Sequence, residues 1–452
     1  MRKVFFGFII FFIIFPGGWF LIKGFEGKKP KIDVELPSRY LNKSYEMKLS
    51  ISDSGKGLKS VKVSILRQNR ENVLLLKRYP NPGMMGSGVF NDSFKIPVKF
   101  KDTNILDGDA LIIIHVSDYS FRGWNKGNSA SVEEKVVIDS IPPKIEVLSK
   151  KHNIKKGGSS LVIYRLFEEN IKSGVMIDEN FFPGFSGMFS DSDVYAAFIG
   201  LSHSQGQGSK LIVIAEDSAG NQAVKGFRYY IGNRRFKSDT LTIPQSFLEQ
   251  KIPQFNLVNF AKGSTGSLIE KFMLINTEVR KQNCSTILNK SLATKNQLMW
   301  KGKFLRLKGS ARKASFGDRR VYKYQGKEIG RAVHLGVDLA SIKKSRVKAA
   351  NTGIVLAAEN IGIFGNSVII DHGFGLCTLY SHLSSFSVKK GDKVEKGAAI
   401  GRTGSTGLAG GDHLHFGVFI NSVFVNPLEW WDKAWIDTNI METINSVKEQ
   451  LK

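Results

Sequence analysis

The sequence predicts a mainly β chain of several domains, with one apolar segment at its N-terminus and one helical stretch in its interior. Three observations carry that reading. The chain has 452 residues, too many for a single compact core. Short strands broken by Gly, Ser, Asp and Asn turns run from Ile32 to about Ile231 and again from Trp300 to about Trp431. Apolar residues at helical spacing fill the stretch between them. The composition is globular, with 42% hydrophobic and 23% charged residues, so disorder is not the default. A formal charge of +25 favours polyanionic surroundings: nucleic acid, an anionic membrane surface or a cell-wall polymer. The basic residues are scattered and no nucleic-acid module is visible, so no nucleic-acid partner is expected. Cys284 and Cys377 are too few for a disulfide scaffold, and their positions do not fix a pairing.

Residues 1–29 read as a membrane anchor or signal segment. Arg2 and Lys3 precede an uncharged run from Val4 to Ile22. At about 1.5 Å per residue it reaches roughly 29 Å, close to the hydrocarbon thickness of a bilayer. A cleaved signal would want a shorter apolar core and a small-x-small site, and Gly17-Gly18 before Trp19-Phe20 is a poor match. An uncleaved anchor through residues 4–22 is the better fit, with secretion after cleavage as the alternative. Either way the bulk of the chain is expected outside the cytoplasm, in a periplasm or at a cell surface.

Residues 30–141 and 142–232 read as two β-sandwich modules. Ser60–Leu66 alternates polar and apolar residues, as a half-buried strand does. Leu111–Asp118 resembles Leu211–Asp217, and the spacing of about a hundred residues is one sandwich domain. Pro142-Pro143 between the copies cannot continue a ladder and marks a joint. The tandem resembles the immunoglobulin-like modules of bacterial surface proteins, which implies docking on an envelope partner. Residues 233–299 read as a helical connector, with Ile243–Phe260 and Ser267–Leu288 at helical spacing and Pro244 suited to a helix start. Residues 300–436 form the second β region, and 437–452 a C-terminal tail.

Five of the eight histidines lie between His334 and His415. Strand side chains repeat with period two, so His413 and His415 project from one face with Leu414 turned away. His334 and Asp338 are also an even offset apart and share a face in extended chain. Three of these groups can converge on one Zn²⁺, whose nitrogen and oxygen ligands lie at about 2.0–2.2 Å, leaving a fourth position for water. An ion there would lower the pKa of that water and polarise a carbonyl. In the His413/His415 pair, one imidazole binds metal and the other reaches the same volume unbound, free to accept a proton or meet an oxyanion.

His334-x-x-x-Asp338, Gly365–Gly373, Leu379-Tyr380-Ser381-His382-Leu383, and Gly404-Ser405-Thr406-Gly407 followed by His413-Leu414-His415-Phe416 together resemble the lysostaphin-type zinc endopeptidases. That family cuts peptide crosslinks of bacterial cell wall on an antiparallel β fold, the duplicated hybrid motif. The resemblance covers about Trp300 to Trp431. It implies His334, Asp338 and His415 as zinc ligands, His382 and His413 as catalytic residues, and peptidoglycan peptides as substrate. Many relatives carry proline before the histidine pair, where this chain has Asp412. Asp412 is a candidate for orienting a histidine or for the substrate groove. Tyr380, at an even offset from His382, is a second groove candidate. The alternative function is a non-catalytic envelope regulator that activates another wall hydrolase, although such relatives typically lose metal ligands.

The remaining candidates read as structural. His115, His152, His203 and His372 are expected to be satisfied within the fold. A thiol enzyme of Cys377 and His382 is disfavoured, because an offset of five places them on opposite strand faces. Arg319 and Arg320 are expected to be ion-paired at an edge rather than to grip substrate carboxylates. Lys343, Lys344, Arg346 and Lys348 read as a solvated basic run.

Overall fold

The computed structural model describes residues 25–42, 45–81, 83, 88–98, 107–169, 171–258, 260 and 265–452. The apolar run 4–22 lies outside the described residues. No helix among the described residues is long and apolar enough to cross a membrane.

The chain divides into two compact units, one of residues 1–142 with 216–222, the other of residues 143–215 and 223–452. In the first unit, Lys31–Glu35, Tyr45–Ser52 and Asn91–Val98 form an antiparallel three-stranded sheet. Tyr40–Leu41, Ser129–Ile138, Gly108–Asp118, Leu58–Arg67 and Arg70–Arg78 form a five-stranded one, in that order. Alternation fixes the buried side: Tyr45, Met47, Leu49 and Ile51 are buried while the residues between them are exposed. They share a core with Val61, Val63, Ile112 and Ile114 of the larger sheet.

The second unit holds the second strand-rich block, the connector and the C-terminal domain around one continuous core. Ile145–Val147, Ser159–Leu166 and Val194–Gly200 make a three-stranded sheet of that block. It meets the C-terminal domain through aromatic packing. Trp430 is fully buried, with its ring centroid 6.1 Å from Phe198 and 5.5 Å from Trp300. Its indole N–H donates to Ser159 Oγ at 3.2 Å, so the polar edge of a large apolar ring is satisfied. Beside it, the Glu429 carboxylate accepts from the Ser159 amide at 2.8 Å and pairs with Arg234 at 2.8 Å.

The connector departs from an all-helical reading. Ser238–Thr242 is a strand, parallel to Arg319–Tyr324, which pairs in turn with Lys327–Val333. Ser-Asp-Thr-Leu-Thr offers β-branched residues but almost no apolar alternation, so periodicity could not reveal it. Helix Gln245–Lys251 follows, and a second helical stretch runs from Leu268 to Lys290. Ser267 and Glu270 cap its start reciprocally, each side chain satisfying the other's backbone N–H.

The main sheet of the C-terminal domain is antiparallel. Its order is Ala311–Ala314, Val337–Ala340, Leu414–Ile420, Leu376–Leu383, Asn366–Asp371, Gly353–Asn360 and Lys393–Val394, with Val423–Val425 paired to Leu414–Ile420. Cys284 and Cys377 are unpaired, and Cys377 is buried on strand Leu376–Leu383 of this sheet.

His372 is a structural histidine of this domain. It is fully buried, its Nδ1 donating to the Thr352 carbonyl and its Nε2 meeting Thr378 Oγ1, both at 2.8 Å. Burial pushes its pKa down to about 4. The folded state therefore prefers neutral imidazole. That stability is complete above the unfolded value near 6.5 and is lost as pH falls towards 4. The loss amounts to about 3 kcal/mol. Denaturant unfolding at pH 7 and pH 4 should show His372→Gln losing about 3 kcal/mol less than the unmodified chain across that interval; parallel losses would refute the assignment.

Candidate metal centre

Register builds the centre. Asp338 lies opposite His415, and His415 lies opposite Ser381 on the next strand. Cross-strand partners share a face, so Asp338, His415 and Ser381 point to one side of the sheet. Tyr380 and Phe416, also paired, point to the other, with their rings 5.3 Å apart. Simple alternation would place His382 on the Tyr380 side. Instead His382 adopts a left-handed backbone, φ +61°, which turns its ring back towards His415. Such a conformation in a non-glycine residue is costly and marks a site that the surrounding structure enforces.

His334 does not sit in a continuous strand with Asp338. It lies in the turn between Lys327–Val333 and Val337–Ala340. Its backbone N–H donates to Asp318 O at 2.9 Å, and its carbonyl accepts from Gly317 N at 2.7 Å. His334 Nδ1 donates to Ser315 O at 2.9 Å, because a carbonyl can only accept. Nε2 therefore carries the lone pair. It lies 2.9 Å from Asp338 Oδ1 and 3.0 Å from His415 Nδ1, and those two atoms are 2.9 Å apart. Tetrahedral zinc sets its ligand atoms about 3.3 Å apart. A small expansion would accommodate the ion, and two imidazole nitrogens with a carboxylate oxygen are a donor set that suits it. The other Asp338 oxygen pairs with Arg320 at 2.8 Å. Burial alone would raise the Asp338 carboxyl, but His334 together with His413 and His415 holds it well below the usual carboxylate range.

The other two histidines flank this triangle. The His382 and His413 rings are 4.9 Å apart, and His413 Nε2 is 3.6 Å from Asp338 Oδ1. His382 Nδ1 donates to Thr406 O and His413 Nδ1 to Gly411 O, each at 2.8 Å. Both rings are thereby held in the tautomer that leaves Nε2 free for proton transfer. Burial pushes the His382 pKa well below the imidazole range.

Thr406 is fixed by its own hydroxyl, which accepts from Asn366 N and donates to Leu383 O, both at 2.9 Å. Gly407, at φ +67°, passes so close that a Cβ there would sit 2.4 Å from Gly365 N, which explains glycine at that end of the Gly404–Gly407 loop. Gly336 answers a similar constraint, since a Cβ there would lie 2.6 Å from His415 Nε2.

The two groove candidates do not face this centre. Tyr380 is 1% exposed and its hydroxyl accepts from Ala350 N at 2.7 Å. The left-handed turn at His382 cancels the shared face that an even offset implies. Asp412 Oδ2 accepts from the Lys344 backbone N at 3.1 Å, so it ties two loops together and orients no histidine. Sequence reasoning anticipated ion pairing for Arg320 but not its partner, and it had no signal for the carbonyls of Ser315, Thr406 and Gly411. It also missed Lys251. This connector lysine is 5% exposed, and its amine donates to Ser405 O at 2.6 Å, one residue from the carbonyl that holds His382.

The triangle opens into a cleft of about 480 Å³. Its walls include Phe364 and Leu408 of the C-terminal domain and Ile243, Phe247, Phe272 and Arg280 of the connector.

This is the arrangement of a metallopeptidase domain. Residues 332–427 match the profile of Peptidase family M23, and the C-terminal part of the chain carries a lysostaphin-type domain of that family. The DD-carboxypeptidase/endopeptidase Mpg of Neisseria meningitidis is 42% identical over 96 residues, 21% of this chain and 22% of that protein. The peptidoglycan DD-endopeptidase ShyA of Vibrio cholerae is 39% identical over 98 residues, 22% of this chain and 23% of its own length. The chain thus spans under a quarter of the length of these relatives. Among solved structures, the catalytic domain of lysostaphin from Staphylococcus simulans aligns at 28% identity with a TM-score of 0.24, covering 29% of this chain and 98% of that one.

Proposed function

We propose that the protein is a zinc-dependent endopeptidase that hydrolyses peptide crosslinks of bacterial peptidoglycan outside the cytoplasm. The observation that carries this reading is the convergence of three donor atoms no more than 3.0 Å apart, flanked by two further imidazoles with free Nε2 atoms. His334, Asp338 and His415 would hold the ion. When bound there, zinc would supply a Lewis acid able to activate water and polarise the scissile carbonyl. His382 Nε2 is placed to take a proton, and His413, in the imidazolium form that Asp338 favours against burial, to donate from Nε2 to developing charge on the carbonyl oxygen. Arg320 orients the Asp338 carboxylate by pairing with its Oδ2. The relatives named for endopeptidase activity support the substrate class. A purely regulatory role would have no use for five converging side chains.

The test is mass analysis of purified peptidoglycan digested with the full chain. New free amines at crosslink positions, abolished by a chelator and restored by zinc, are the expected result. An undigested wall with zinc-loaded protein would overturn the reading.

The connector contributes to this chemistry through Lys251. Lys251→Met keeps the buried stem but leaves the Ser405 carbonyl without its donor. A loss of about tenfold in kcat, with little change in KM, is expected from a group that acts through the His382 support. An unchanged kcat would limit Lys251 to packing.

A further inference from the structure

A second cluster of acids lies in the first unit, independent of the peptidase centre. Glu26 precedes strand Lys31–Glu35, Asp53 follows strand Tyr45–Ser52, and Asp118 ends strand Gly108–Asp118. Each brings a carboxylate oxygen within 4.8 Å of the other two. Asp118 is fully buried and Asp53 is 7% exposed. None of the three forms an ion pair among the described residues.

The decisive atom is Asp53 Oδ1. Asp53 Oδ2 accepts from the amides of Gly55 at 3.0 Å and Gly57 at 2.7 Å. Oδ1 is buried and has no hydrogen-bond partner. It is the oxygen that Asp53 has left to offer the cluster. A buried carboxylate oxygen without proton donor or cation is costly, and two neighbouring acids raise that cost. The surrounding donors are already spent. Asp118 Oδ1 accepts from Ser120 N and Asn128 N, and its Oδ2 from Asn128 Nδ2. Glu26 Oε1 accepts from Asn128 Nδ2 and Oε2 from Lys28 N. The Glu26 main-chain carbonyl is drawn to the same place by Ser120 Oγ at 2.9 Å and Asn128 Nδ2 at 3.1 Å. Burial, followed by the charges of Asp118 and Asp53, raises the Glu26 pKa, as expected where like charges meet without a counter-ion.

We propose that Glu26, Asp53 and Asp118 bind a calcium ion that fastens the chain entering at Glu26 onto the first unit. Every donor is oxygen, which selects a hard cation, and three carboxylates in irregular geometry suit calcium better than octahedral magnesium. The hydrogen-bond pattern around Asp118 recurs at Asp217. There Oδ1 accepts from Ala219 N and Asn221 N, Oδ2 accepts from Asn221 Nδ2, and the same amide reaches the Asp139 carbonyl. This is the physical content of the internal repeat seen in the sequence.

The experiment uses the full chain loaded with zinc. Calcium titrated calorimetrically should bind at one site in this region and raise the melting temperature by several degrees. Terbium, a calcium mimic, should give sensitised luminescence that calcium displaces. Glu26→Gln retains a side chain able to accept hydrogen bonds, and it should fold with unchanged far-ultraviolet circular dichroism while calcium affinity falls at least about tenfold. Asp53→Asn should do the same. Absence of calcium binding in the unmodified chain, calcium affinity in both variants equal to that of the unmodified chain, or a magnesium response equal to that of calcium would overturn the proposal.

Discussion

Replacing His415 with alanine is expected to remove the metal and the activity together. His415 Nδ1 is the third corner of the donor triangle, at 3.0 Å from His334 Nε2 and 2.9 Å from Asp338 Oδ1. Two protein ligands retain a borderline ion poorly. The loss in kcat/KM should reach about a thousandfold, equivalent to about 4 kcal/mol of transition-state stabilisation. Metal content by atomic emission and hydrolysis of peptidoglycan fragments check both halves. A variant that retains stoichiometric zinc and full rate would contradict the ligand assignment.

Arg234→Ala is expected to give the largest loss of stability. Glu429 is 6% exposed, and its Oε1 faces the Arg234 guanidinium at 2.8 Å. Burial pushes its carboxyl pKa up even with the cation in place. Without the guanidinium, an uncompensated charge would remain beside the Ser159 amide and the Trp430 cluster. Breaking one side of such a pair costs about 3 kcal/mol. The consequence falls between the second strand block and the C-terminal domain, since Ser159 and Glu429 belong to each. Denaturant unfolding should show the midpoint shift. A change below about 1 kcal/mol would mean that water replaces the arginine without penalty.

The donor triangle was legible because its chemistry depends on residue type and strand parity. His413 and His415 flank one leucine, and Asp338 and His415 prove to be direct cross-strand partners. Parity failed where the backbone leaves regular geometry. Tyr380 was placed with His382 by counting, but the left-handed φ at His382 separates them. No residue type announces that turn, since histidine is not a residue selected for positive φ in the way glycine is. The strand Ser238–Thr242 escaped for a different reason: it adds to a sheet through main-chain hydrogen bonds, and its side chains are mostly exposed. Main-chain acceptors such as Thr406 O and Ser405 O leave no mark in a sequence.

That added strand has a practical consequence. A shortened chain beginning at residue 300 would lack Ser238–Thr242 and unsheathe the main chain of Arg319–Tyr324. An uncovered edge invites other chains to stack against it, here alongside the very residues that carry Arg320 to Asp338. Preparations that start upstream of Ser238 should stay dispersed where the shorter ones clump.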